Sequence, residues 1–542
     1  MDAAAGRVVD YRKGACMAYE MPMESQAGLI GFLLRPENYP ERPRFIIHHE
    51  SHISHVFVGD SVVYKIKKPV NFGFLDFTSL EKRRFYCREE VALNARLAGD
   101  TYLGVVPLYG KGKGYSFKRS KGSVIIEYAV KMTRIPEETL LSHLIGRGKL
   151  LYGAVDDVGE ILARFHREAR VERLGPYGGI ESVRMNTEEN FDQIAPYRGN
   201  VIDERFYSRL VSFTRDFIAE NALLLADRKG GGFVREVHGD LRAEHVCLAH
   251  PPIILDCIEF NRRFRISDVL EDVAFLFMDL EYRGRFDLSA AVSHAYFSHL
   301  PEAASTDLLR FYKTYRAVVR GKVEAFTADA LHEDQAARKA ALGRAGNYYS
   351  LAQYYVAHCS SPFNPLVLMG PAGSGKSVIA ADVLPDALVL RSDEIRKRLR
   401  NVPAGAHMYA DYGKGLYDPA ITEATYLEMT REAVSAAKTG RRVVVDATFL
   451  TSPLRHGFFE TCMGEGLNPF FVSCFADPPI LRERVRRRMQ EGADVSDAHL
   501  AILDRQLRVM EQPQELPSFR VMRLDTGDAA AGTIGQALKL LL

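Results

Sequence analysis

The sequence predicts a chain of mixed α/β and α+β class in two parts: a two-lobed α+β region, then a parallel α/β sandwich. Three observations carry this. Residues 28–132 favour strands, whereas 137–357 are largely helical in pattern. Residues 366–542 alternate strand candidates (366–369, 387–391, 442–446, 470–475) with helices, the order that builds a parallel sheet. Between them HCSSPFNP, 358–365, mixes Ser and Pro and reads as a linker.

At 542 residues the chain is too long for one core, and 47% hydrophobic with 26% charged residues is ordinary globular composition. A net charge of +2 gives no electrostatic case for nucleic acid or an anionic membrane as partner. Seven cysteines without C-x-x-C spacing argue for a reducing compartment and against a disulfide framework or zinc knuckle. No apolar run approaches a membrane span, and residues 1–27 lack the apolar core of a signal peptide. A cytoplasmic location is expected.

Taken in order, residues 1–27 show no sustained period and read as an extension. HVFVGDSVVYKIKK has two β-rich arms around Gly59-Asp60, a hairpin signal. SLEKRRFYCREEVALNARLA (79–98) has helical spacing, and strands are expected near 103–109 and 123–131. The first polar constellation is EVHGDLRAEHVCL followed by IILDCIEFN. His238-Gly239-Asp240 falls in a loop, where Asp240 can orient or deprotonate a hydroxyl. Asp256, closing an apolar strand, can chelate Mg²⁺ between phosphates. Upstream, Lys65 ends a strand and Glu90 lies on a helix, the order of a lysine–glutamate pair over the α/β-phosphates. Lys67 shares the strand parity of Lys65; the V-x-K spacing favours Lys65. Glu127-Tyr128-Ala129, after an apolar run, is expected to hold adenine through the backbone of Glu127 and Ala129.

In the second part, LVLMGPAGSGKS runs from a strand into a glycine-rich loop. Gly370, Gly373 and Gly375 permit the tight turns that point N–H groups, Ser374's among them, at a polyphosphate. Lys376 adds a positive charge for the β- and γ-phosphates, and Ser377 a hydroxyl for a Mg²⁺ shell. The helix that follows turns its positive end to the same place. After the next strand, Asp393 can take a proton from an acceptor hydroxyl and Arg396, one turn on, can hold that acceptor; Ser392 and Asp393 capping the helix is the structural alternative. RRVVVDATF places Asp446 at a strand end, the usual site of a metal-side carboxylate. Arg484 and Arg488 sit four apart in LRERVRRRMQ before a Gly-containing loop, a candidate lid over the phosphates.

These motifs carry two resemblances. GPAGSGKS, RSDEIRK, VVVDATF and RERVRRR, in that order, resemble the small P-loop kinases that include gluconate and shikimate kinases, zeta toxins and polynucleotide 5′-kinases. The resemblance implies a P-loop NTPase domain over 366–542 that moves phosphoryl from ATP, with Mg²⁺, to a hydroxyl. HGDLRAEH and ILDCIEFNRRFRISDVLEDVAFL are similar to the aminoglycoside phosphotransferase and choline kinase-like group, in the branch fused to a P-loop domain. That implies a protein-kinase-like domain over 28–357, with lobes 28–132 and 133–357, and Mg·ATP held by Lys65, Glu90 and Asp256. Two departures stand out. No G-x-G-x-x-G precedes Lys65, and His245 occupies the position of the group's metal-binding Asn, with Glu244 beside it. The expected function is phosphoryl transfer to a small-molecule alcohol. The alternatives are a regulatory pseudokinase in the first part or a nucleic-acid 5′-kinase in the second; the near-neutral charge opposes the latter.

Overall fold

A computed structural model describes residues 24–527 apart from 113, 148–151, 332, 361–363, 384–385, 404–417 and 492–498. A helix already runs over Glu24–Leu33, so the extension expected to reach residue 27 ends inside a helix. The chain forms two compact units: 1–148 with 165–178 and 231–268, and 149–164 with 179–230 and 269–542. This grouping differs from a division at 358–365, and the reason lies in a shared core described below.

The first unit is built on strands β1 (Ile47–Glu50), β2 (Ser54–Val58), β3 (Val62–Lys67), β4 (Tyr102–Lys111), β5 (Gly114–Ser116) and β6 (Val124–Thr133). They form an antiparallel sheet in the order β1-β2-β3-β6-β4-β5. Alternation along β3 decides what each face does. Tyr64 and Ile66 join Leu29, Leu33, Phe57 and Leu108 in an apolar core under helix Glu24–Leu33. Lys65 and Lys67 point to the opposite face, where helix Leu80–Ala98 lies. Ser79 starts that helix by accepting the Lys82 N–H at 3.2 Å. Two small antiparallel pairs complete the unit: β7 (Val234–Glu236) with β10 (Ile266–Asp268), and β8 (Val246–Cys247) with β9 (Ile253–Ile254). They hold the loops carrying His238, Asp240 and Asp256.

In the second unit, helix Val269–Tyr282 is buried along almost its whole circumference. Three of its four acidic residues have ion-pair partners: Glu271 with Arg316 at 3.0 Å, Asp279 with Arg283 at 3.2 Å and Glu281 with Lys313 at 2.9 Å. The sheet contains β11 (Leu366–Met369), β12 (Leu388–Arg391), β13 (Val443–Asp446), β14 (Phe470–Phe475) and β15 (Val521–Asp525), parallel throughout and ordered β12-β13-β11-β14-β15. One apolar cluster runs from helices 269–282, 286–299 and 335–360 into this sheet, through Phe275, Phe286, Tyr354, Phe470 and Met522. The Phe286 ring meets Phe470 edge-on at 4.8 Å between centroids. Gly284 (φ 72°) passes so close to residue 518 that a Cβ there would stand 2.8 Å from the Ser518 carbonyl. Ser518 Oγ in turn donates to the Tyr282 carbonyl at 2.8 Å. Helices 269–360 and the parallel sheet therefore share one core; of the expected linker, 358–365, residues 361–363 lie outside the described residues.

Candidate functional site

The carboxy-terminal site grows from the edge-to-centre order of its sheet. β11 lies between β13 and β14, so the loop leaving β11 emerges beside the carboxyl end of β13. Gly370 (φ 139°), Gly373 (φ 78°) and Gly375 (φ 81°) all adopt backbone conformations closed to most side chains. The loop is anchored from behind, where the buried Ala372 N–H donates to Gln506 Oε1 at 2.8 Å. Ser377 Oγ donates to Asp446 Oδ2 at 2.7 Å, joining the two oxygens expected to share a metal shell. Both are hard donors suited to hydrated Mg²⁺. Lys376 Nζ folds back to the carbonyls of Gly370 (3.0 Å) and Pro371 (2.9 Å), within the loop it would counter-charge.

The capping alternative does not hold, and two arginines have defined partners. Helix Ser392–Leu399 begins with Arg391 at its N-cap and has no side-chain capping bond, so Ser392 and Asp393 do not serve as caps. Arg396 is buried and turns onto Asp393 (2.6 Å), where it orients that carboxylate. Arg484 donates to the Thr526 carbonyl at 2.6 Å, Thr526 Oγ1 at 3.0 Å and the Gly373 carbonyl at 3.4 Å. It braces the phosphate loop and is not carried on a free lid. Arg488 is half-buried one turn further along, and the Gly-containing loop beyond it lies outside the described residues. Thr526 and Gln506 were missed by sequence reasoning; neither belongs to a spaced motif.

Replacing Gly370 tests the loop geometry. A Cβ there would lie 2.2 Å from the Cys474 carbonyl, on rigid neighbouring backbone. Gly370→Ala is expected to weaken ATP binding at this site about 10-fold or more, with strain of about 1–3 kcal/mol. Calorimetric titration of full-length protein with ATP reads it; unchanged affinity would show that the loop tolerates another path.

The amino-terminal site is a chain of charges drawn from distant segments. Lys65 Nζ sits 2.9 Å from Glu90 Oε1 and 2.8 Å from Asp256 Oδ1. Burial works against the Lys65 charge, yet Asp256 and Glu90 outweigh it and raise its pKa well above normal. Burial likewise pushes the Asp256 carboxyl up, but Lys65, with His245 behind it, holds it below the usual carboxylate range. Asp256 adopts φ 63°, uncommon for a residue with a side chain, although Asp tolerates it better than most. Lys67, which the V-x-K argument had passed over, is fully buried between Glu90 Oε2 (2.7 Å) and Glu259. Both lysines therefore meet Glu90. Glu259 was missed; an acidic residue within the apolar stretch ILDCIEF was its only sequence signal.

Asp240 accepts two bonds from Arg242, Nε and Nη2 each at 2.8 Å, a fork fixed by the neighbouring sequence. His238 is buried; its Nδ1 accepts the Asp240 N–H at 3.3 Å and its Nε2 donates to the Leu255 carbonyl at 2.7 Å. Both ring nitrogens are thus engaged with backbone, which fixes the imidazole beside Asp240. His245 Nδ1 lies 2.7 Å from the Asp240 carbonyl, so that nitrogen carries the proton. Its Nε2 then faces Glu244 Oε1 at 3.7 Å and Asp256 Oδ2 at 3.9 Å, a place where a cation would fit. The adenine-holding edge expected at 127–129 is not there. Ala129 lies inside β6 with β3 and β4 paired on its two sides, and the Glu127 carboxylate is buried against Arg83 at 2.9 Å.

Comparison with known families matches residues 87–309 to the phosphotransferase enzyme family and residues 366–513 to an AAA domain family. The protein Rv2004c of Mycobacterium tuberculosis (strain ATCC 25618 / H37Rv) is 31% identical over 409 residues, 75% of this chain and 78% of its own. Mb2027c of Mycobacterium bovis matches to the same extent, 31% over 409 residues, 75% of this chain and 78% of its own. A choline/ethanolamine kinase family protein from Mesorhizobium loti aligns at 11% identity over 61% of this chain and 99% of its own, with TM-score 0.35. A gluconokinase from Sinorhizobium meliloti aligns at 20% identity over 33% of this chain and 91% of its own, with TM-score 0.24.

Proposed function

The chain belongs to the family of the mycobacterial protein Rv2004c, and from that premise we propose an ATP-dependent phosphotransferase with two nucleotide sites, each transferring the γ-phosphoryl group to a hydroxyl of a small molecule. The strongest support is the Ser377–Asp446 contact at 2.7 Å beside a loop whose glycines all hold positive φ. In that site the amides of Gly373 to Ser377 bind phosphate oxygens, Lys376 offsets their charge, and Asp393, oriented by Arg396, accepts the acceptor's proton. The acceptor oxygen bonds to the γ-phosphorus as the bond to the β-bridging oxygen breaks, and ADP leaves. Mg²⁺, when bound, neutralises the β- and γ-oxygens; Ser377 and Asp446 would hold it at this site. Arg484 keeps the loop in shape, and Arg488 adds positive charge nearby.

In the amino-terminal site, Lys65 held by Glu90 serves the α- and β-phosphates, Asp256 with His245 serves the metal side, and Asp240 receives the acceptor's proton. One observation favours a second reading there, a binding module without turnover: Arg242 already occupies both Asp240 oxygens. Asp240→Asn separates the two. In an ATP-consumption screen of sugars, amino alcohols and aminoglycosides, phosphotransfer predicts one acceptor whose turnover falls about 10²–10⁴-fold in the variant while ATP affinity stays within about 3-fold. If no acceptor responds to Asp240→Asn but Mg·ATP still binds, the module reading takes its place. Among the described residues no helix is long and apolar enough to cross a membrane. Action on cytoplasmic metabolites, with neither nucleic acid nor membrane as partner, is part of the proposal.

A further inference from the structure

The β1–β2 hairpin carries a second cluster of chemistry on the sheet face that the phosphate-handling residues leave unused. Its register sets His48 opposite Phe57 and Glu50 opposite His55. The next ladder sets His55 opposite Ile66, Val56 opposite Lys65 and Ser54 opposite Lys67. Directly opposed residues share a face, so His48, Glu50 and His55 stand with Ile66, away from Lys65 and Lys67. His48 Nε2 and His55 Nδ1 are 3.1 Å apart. With a Glu50 carboxylate oxygen, all three donors lie within 4.8 Å of one another. The rings are fixed in place: His55 is buried and stacks on His48 at 5.2 Å, and His48 stacks on Phe57 at 4.9 Å.

We infer that His48, Glu50 and His55 form a binding site for a divalent transition-metal ion of the zinc class. Two imidazoles and one carboxylate are a donor set for Zn²⁺ and its first-row neighbours and a poor one for Mg²⁺. Bonds of about 2.0–2.2 Å in a tetrahedral shell put neighbouring donor atoms roughly 3.3 Å apart, close to the spacing the two histidines already have. Lys68, which pairs with Glu50, is the local competitor that the ion displaces. Three protein donors leave a fourth position for water. The ion fastens edge strand β1 to β2 beside the turn in which Ser51 Oγ accepts the N–H of Ser54 at 3.0 Å.

This site and the phosphotransfer reading stand or fall separately, because the test needs no ATP. Full-length protein, freed of metal by chelation, is titrated with Zn²⁺ against a chromogenic chelator and with Co²⁺ by its d–d absorption. Wild type is expected to take up Zn²⁺, to show the intense absorption of tetrahedral Co²⁺, and to melt at a higher temperature with Zn²⁺ present. His48→Ala and Glu50→Gln, both on the solvent-reached edge strand and tolerable to the fold, are expected to lose at least about 10–100-fold in affinity and the thermal shift with it. Uptake by both variants equal to wild type, or no uptake by wild type, overturns the assignment.

Discussion

Lys376→Ala is expected to lower ATP turnover at the carboxy-terminal site about 10³-fold or more while leaving the fold intact. The side chain makes its bonds to the Gly370 and Pro371 carbonyls and to Ser374 Oγ (3.4 Å), all within one loop, so its removal leaves the contacts between strands and helices in place. What disappears is the ammonium that the loop places to meet charge gathering on the bridging and γ-oxygens, a contribution of about 4 kcal/mol or more to the barrier. Two ATP-using sites would blur the result, so the measurement belongs in an Asp240→Asn background. Steady-state ADP release across the acceptor screen, with a circular dichroism melt as the control, decides it. Turnover equal to the parent would mean that phosphate is not handled at this loop. Lys376→Arg is the sharper companion: it keeps the charge but not the compact ammonium, and is expected to recover only a small part of the rate.

The second large effect concerns stability. Lys67→Met is expected to destabilise the amino-terminal sheet by about 3–5 kcal/mol, because two buried carboxylates, Glu90 and Glu259, lose the ammonium between them. Burial already raises the Glu259 pKa despite Lys67, whereas Lys65 and Lys67 together keep Glu90 low against the same burial. Without Lys67 both carboxyls shift upward in the folded state. The folded chain then binds more protons than the unfolded one at neutral pH, so stability falls as pH rises. The defect is therefore greatest near pH 7 and shrinks as the pH drops toward about 4.3, the ordinary glutamate value. Amide exchange of residues 62–67 and 80–98 in the full chain, at two pH values, reads both the size and the slope. Lys67→Met combined with Glu259→Leu is expected to recover most of the loss, since apolar groups of similar volume replace buried ions well. A pH-independent defect would locate the cost in packing against Phe77, whose ring lies 4.9 Å from Nζ, and not in charge.

What could be read from the sequence follows from how local each physical requirement is. The phosphate loop was legible because its glycines answer to backbone torsion, which one short segment determines. Strands β11, β13 and β14 were legible as apolar runs that bury both faces. β15 was not, since VMRLD places Arg523 mid-strand at a sheet edge and lacks that run. Ser79 and the helix after it could be read from capping and spacing within four residues. Glu259 could not be matched to Lys67, because 192 positions separate them and only the fold brings them together. The adenine edge was misplaced for a related reason. EYA follows an apolar strand in sequence, but β6 continues through it to Thr133, and the ladder to β3 runs as far as that residue. How far a strand continues depends on its partners, which one segment cannot reveal. The backbone partners of His238 and Arg484 could not be read either, since they lie 17 and 42 positions along the chain.

The apolar seam joining helices 269–360 to the parallel sheet has an evolutionary corollary. Phe470, Tyr354 and Phe286 are each almost wholly hidden from water, and each hides the others. A gene cut at codon 365 would yield two products with sticky wounds, each prone to clump before any catalytic question could be asked of it. The joined state is thus hard to undo: separated, each part loses the apolar cover that the other supplies.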